Sequence, residues 1–101
     1  PIQMDKQIQK LKQYLEKHLG KTKAQIHSEY GKPEIISDNN TWFYNQYRWL
    51  IFKDEICFFF TDDKVADITV TEYVFGIPLH NIFYNKGQVP EYIISPVKYV
   101  L

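Results

Sequence analysis

The sequence predicts an α+β domain: two N-terminal helices packed on one face of an antiparallel β-meander of about four strands, then an irregular C-terminal wrapping segment. Three observations carry this. Apolar residues recur every three or four positions up to residue 30, the period drops to two from Ile35, and polar turn residues punctuate the second half at hairpin spacing. At 101 residues the chain makes one domain, with a helical pair over 1–34, a sheet over 35–75 and a tail over 76–101.

The first helix is expected over residues 2–19. Met4, Ile8, Leu11, Leu15 and Leu19 fall on one face, and Lys6, Lys10, Lys12 and Lys17 mostly point elsewhere. Gly20 stands where a helix ends on a left-handed residue. Thr22-Lys23-Ala24-Gln25 fits a capping box, in which the Thr22 hydroxyl accepts from the Gln25 amide while the Gln25 side chain reaches back. The short helix it opens, 23–30, offers Ala24, Ile26, His27 and Tyr30 as inward positions; Gly31 and Pro33 close it.

Asp38-Asn39-Asn40 is turn chemistry. Strands are expected over 41–47, around Trp42 and Tyr44, and over 48–53, 56–61 and 65–74. Asp54-Glu55 and Asp62-Asp63-Lys64 serve as the polar breaks between the later ones. In the last strand Ala66, Ile68 and Val70 share one side, and Asp67, Thr69 and Thr71 the other. Leu50 to Phe52 and Ile56 to Phe60 are apolar at both parities, so the second sheet face calls for a cover. The tail, from Ile77 and Leu79 through Tyr92 and Ile94 to Tyr99, Val100 and Leu101, supplies it. Because Gly76, Pro78, Gly87, Pro90 and Pro96 interrupt the tail, it is expected to wrap, with one or two short strands. The alternative cover is a partner protein or a second copy of the chain.

Composition excludes several functions. Twelve basic and 12 acidic side chains give zero net charge, and the single Arg and the Lys residues are scattered among acids, which argues against a nucleic-acid partner. No apolar run approaches the roughly 20 residues a transmembrane helix needs. Cys57, the one cysteine, sits in an apolar run and reads as a small buried residue. His18 reads as a cation at a helix C-terminus. No His or Cys pair has metal-ligand spacing, and Ser28, Ser37 and Ser95 lack nucleophile context. Gly87-Gln88-Val89-Pro90 is not a phosphate loop. The expectation is therefore no catalysis, no cofactor and no metal.

The aromatic content, 17%, is the unusual feature. Interfaces favour Tyr, Trp and Arg as anchors. Trp42 and Tyr44 are assigned to the core, which leaves Phe43, Tyr47, Arg48 and Trp49 as candidate protein-binding residues. Asp54, Glu55, Asp62 and Asp63 are expected in turns, where they form an acidic patch for a basic partner.

Gly20-Lys21-Thr22-Lys23-Ala24-Gln25-Ile26, Tyr30-Gly31-Lys32-Pro33, Trp42-Phe43-Tyr44 and Phe58-Phe59-Phe60-Thr61-Asp62-Asp63-Lys64-Val65 together resemble the SmpA/OmlA (BamE-like) domain, and the unit resembles β-lactamase-inhibitor-like proteins. Residues 4–72 carry the resemblance. It implies a non-enzymatic, exported, protein-binding domain of the periplasm or cell envelope, acting through its sheet face and hairpin turns. The rival expectation is a cytoplasmic immunity or antitoxin-type protein that neutralises a toxin enzyme, a setting that suits a reduced Cys57. The chain begins with Pro, so residue 1 is not expected to be the translation start.

Overall fold

The computed structural model describes residues 2–97, with side chains from residue 6. The elements are α1 (Ile2–His18), α2 (Lys23–Tyr30), β1 (Thr41–Tyr47), β2 (Phe52–Thr61), β3 (Lys64–Val74), β4 (Ile77–Tyr84) and β5 (Tyr92–Pro96). The strands form one antiparallel sheet in the order β1-β2-β3-β4-β5, with both helices on one face. This is the α+β meander expected, with five strands rather than about four.

In α1, Leu11 and Leu15 are buried, but the third core position is His18, at 0% exposure, while Leu19 is 45% exposed. The spacing explains the correction. Steps of four and three from Leu11 return to the same face at residue 18, and residue 19 lies a further ~100° round the helix. Met4 lies outside the described side chains. The capping box of α2 forms as expected: the Gln25 amide donates to Thr22 Oγ1 at 3.2 Å and the Thr22 amide to Gln25 Oε1 at 2.9 Å. Of the four residues expected inward, Ile26 is buried and Tyr30 half-buried, whereas Ala24 and His27 are exposed.

The sheet departs from expectation in three places. First, the chain turns at Arg48–Ile51, not at Asp54-Glu55, which both lie within β2 opposite Gln46 and Asn45 of β1. Two adjacent acids imitate a turn, but ion pairs on Asp54 remove its need for solvent. Second, a β-bulge leaves Ala66 unpaired between Val65 and Asp67. It shifts the alternation, so Val65, Ile68 and Val70 point inward and Ala66 outward. Third, the segment after residue 75 continues the sheet in plane as β4 and β5 and does not wrap over it. Tyr99, Val100 and Leu101 lie outside the described residues. Gly76 is part of a two-residue turn with Phe75, Pro90 lies in the β4–β5 loop and Pro96 ends β5, so these breakers bound strands instead of dissolving them.

Both two-residue turns, Asp62-Asp63 and Phe75-Gly76, hold left-handed φ at both positions (52° and 67°; 52° and 74°), as a type I′ hairpin requires. The core lies between the helices and the inner sheet face: Leu11, Leu15, Ile26, Tyr44, Ile56, Phe58, Ile68, Val70 and Ile82. The Phe58 ring meets His18 edge-on at 5.4 Å and Tyr44 at 5.8 Å.

Candidate functional site

Three features outside the apolar core carry chemistry. The first is a charged cluster on the inner face, where α1 crosses β2 and β3. Asp54 and Glu72 are cross-strand neighbours, 3% and 8% exposed. Lys10 of α1 bridges them, its Nζ 2.6 Å from Glu72 Oε2 and 3.1 Å from Asp54 Oδ2. Gln7 Nε2 donates to Glu72 Oε1 at 2.6 Å, and His80 Nδ1 of β4 stands 3.8 Å from the same oxygen. Arg48 Nε lies 3.2 Å from Asp54 Oδ1 without aiming its N–H there, so that buried oxygen accepts no hydrogen bond among the described residues. Burial pushes the Glu72 carboxyl up, but the hydrogen bonds and charge of Lys10 and the Gln7 amide outweigh it and hold the group below its ordinary value. Phe52, Val74 and Leu79 join these polar groups around an open cleft of about 460 Å³. Each acid is already tied to a cation, as in a structural ion-pair network. Among the described residues no group of three His, Cys, Asp or Glu is arranged to hold a metal ion.

The second feature is the His18 network between α1 and α2. Nδ1 donates to the Tyr14 carbonyl at 2.8 Å, and Nε2 lies 2.9 Å from the Tyr30 hydroxyl and 3.2 Å from Glu29 Oε2. Burial favours the neutral Glu29 acid, yet hydrogen bonds from Lys17 and His18 pull its pKa down to about 2. Desolvation first, then the Glu29 charge, pushes the Tyr30 phenol well above its usual range. The network fastens one helix to the other.

The third feature is the outer face of the sheet. Strand alternation sends Phe43, Asn45 and Tyr47, then Lys53, Glu55, Cys57 and Phe59, away from the helices. Thr69, Thr71 and Tyr73, Phe83 and Ile93 continue the face across β3, β4 and β5. No helix covers it. Cys57 is only 4% exposed, and burial, aided by the Glu55 charge, pushes its thiol up to about 12, so it is no nucleophile. Lys53 Nζ sits 4.2 Å from the Tyr73 ring centroid.

The residues expected to bind protein therefore fall in separate places. Phe43, Tyr47 and Glu55 share the outer face. Arg48 and Trp49 occupy the β1–β2 loop, with Arg48 stacked over the Phe52 ring at 5.3 Å and Trp49 67% exposed. Asp54 is buried on the inner face, while Asp62 and Asp63 are exposed at the opposite end of the sheet. The expected acidic patch of two turn pairs does not assemble. Lys10, Glu72, His80, Tyr73 and Phe75 are sites the sequence reading missed. One signal was present: Glu72 is in phase with Ile68 and Val70, so it had to be an inward acid with a partner. Comparison with family models, curated proteins and solved structures returns no match to this chain.

Proposed function

We propose that this chain is a non-catalytic protein-binding domain that receives its partner on the outer sheet face. The observation that supports this reading is the unroofed face itself, on which Phe43, Tyr47, Phe59, Tyr73 and Phe83 are at least partly accessible. Aromatic side chains supply most of the energy of such interfaces from few positions. The inert Cys57 and the ion-paired acids of the inner cluster give the described residues no evident reacting group. Placement in the cell envelope goes with this reading only through the SmpA/OmlA-like residues.

The test is affinity capture from an extract of the source cells, comparing wild type with the Phe43→Ala/Phe59→Ala pair. The expected result is a defined polypeptide held by wild type and bound at least tenfold more weakly by a variant whose circular dichroism is unchanged. Equal capture by both forms refutes the choice of face. A wild-type dimer, detected by light scattering and lost in the variant, assigns the face to a second copy instead.

A further inference from the structure

The end of the sheet that holds the β1–β2 loop carries an apolar tip separate from the outer face. Arg48–Ile51 and Phe75-Gly76 lie side by side there, tied by a hydrogen bond from the Phe75 amide to the Ile51 carbonyl at 2.8 Å. Leu50 is 91% exposed, Phe75 72% and Trp49 67%. The three project from the end of the sheet, and Tyr47 at the end of β1 borders them. Single exposed apolar residues are ordinary, whereas three large ones on adjoining loops are not. Phe75 also holds φ of +52° at a turn position that asparagine or glycine fills with less strain. The turn does not call for a phenyl ring.

The charge around the tip has one sign. Residues 47–53 and 74–79 contain two charged side chains, Arg48 and Lys53, both basic. Lys6 and His80 stand behind them on the wall of the cleft. Of the nearby acids, Asp54 and Glu72 are buried and held by Lys10, with Arg48 also beside Asp54, and Glu55 lies farther along β2 on the outer face. A convex knob of three side chains cannot approach the ~800 Å² per partner that a stable dimer needs, so pairing with its own copy fails on area. A protein partner would need a matching cavity. A bilayer interface takes any convex apolar tip, and it favours Trp flanked by Arg and Lys.

We propose that this tip seats in the interface of an anionic lipid bilayer, with Trp49, Leu50 and Phe75 below the headgroups and Arg48, Lys53 and Lys6 among them. The test is co-sedimentation of the 101-residue chain with vesicles of pure phosphatidylcholine and of equimolar phosphatidylcholine and phosphatidylserine. Wild type should bind the anionic vesicles at least tenfold more tightly than the neutral ones, and high salt should erase the difference. In a Trp42→Phe background, Trp49 emission should shift to the blue on binding. The Leu50→Ser/Phe75→Asn pair should lose at least tenfold in vesicle affinity without a lower melting temperature, because Asn suits the left-handed turn position. The Phe43→Ala/Phe59→Ala pair, on the outer face away from the tip, should bind vesicles as wild type does, which separates this proposal from the reading of the outer face. Absence of wild-type binding, or full binding by the Leu50/Phe75 pair, overturns it. So does a tip substitution that abolishes capture of a protein while vesicle binding stays intact.

Discussion

Replacing Lys10 by Met removes the one cation shared by two buried acids. In the native protein its Nζ lies 2.6 Å from Glu72 and 3.1 Å from Asp54, and those side chains keep 10% and 4% of their exposure. At an effective dielectric near 20, each contact represents roughly 5–6 kcal/mol of attraction before desolvation is set against it. After the substitution Asp54 keeps Arg48, and Glu72 keeps the Gln7 amide and, farther off, His80 and the Arg48 charge. Breaking a buried pair costs about 3–5 kcal/mol. Lys10 is itself 23% exposed and water can enter its place, so about 3 kcal/mol is expected at pH 7. In wild type the Glu72 pKa is depressed, so its stabilising contribution is present above the ordinary carboxylate value of 4.5 and disappears as pH falls through the lower folded value. Without Lys10 the upward push of burial dominates, and ionised Glu72 opposes folding. The loss should therefore shrink to about 1 kcal/mol near pH 4, as Glu72 takes a proton. Urea denaturation at the two pH values measures both numbers. A loss below about 1 kcal/mol at pH 7, or one that does not change with pH, refutes the assignment of the cluster as an ion-pair clamp.

Two further outcomes test the interior. Cys57, buried and with its thiol pushed up to about 12, should resist iodoacetamide in the native protein at pH 8 and react promptly in urea; rapid labelling of the folded chain would show the outer face to be open to the strand backbone. His18→Leu keeps the bulk but strips the Tyr14 carbonyl and the Tyr30 hydroxyl of their imidazole partner, so unfolding free energy should fall by about 2–3 kcal/mol, and a neutral result would mean that the network is decorative.

What could be read in the sequence was whatever is decided locally. The Thr22–Gln25 capping box, the stop at Gly31, the limits of β1 and the Asp62-Asp63 turn each depend on residues within a few positions of one another. The structure departed from expectation where the deciding partner is distant. Asp54 has the local signature of a turn residue because Lys10, which lets it be buried, comes from another element, and Lys10 also reaches Glu72 across 62 residues. His18 takes a core position because Glu29 and Tyr30, both of the next helix, satisfy its ring. The Phe75-Gly76 hairpin went unread because Phe is the wrong residue type for its φ, and without that turn the tail looked irregular. The candidate surfaces were legible as a surplus of aromatic side chains, but not as places, since a loop and a strand face differ only in where the chain turns.

One further consequence lies in the joint between the helices. Gly20 donates to Val65 at 2.9 Å, Val65 donates to Lys21 at 2.9 Å, and Lys23 donates to Asp63 at 3.2 Å. The linker of the helical layer is thus stitched, strand fashion, to the start of β3. Neither layer is able to open like a hinged lid without breaking these backbone bonds, and the register of the helices on the sheet is tied to the turn after Thr61.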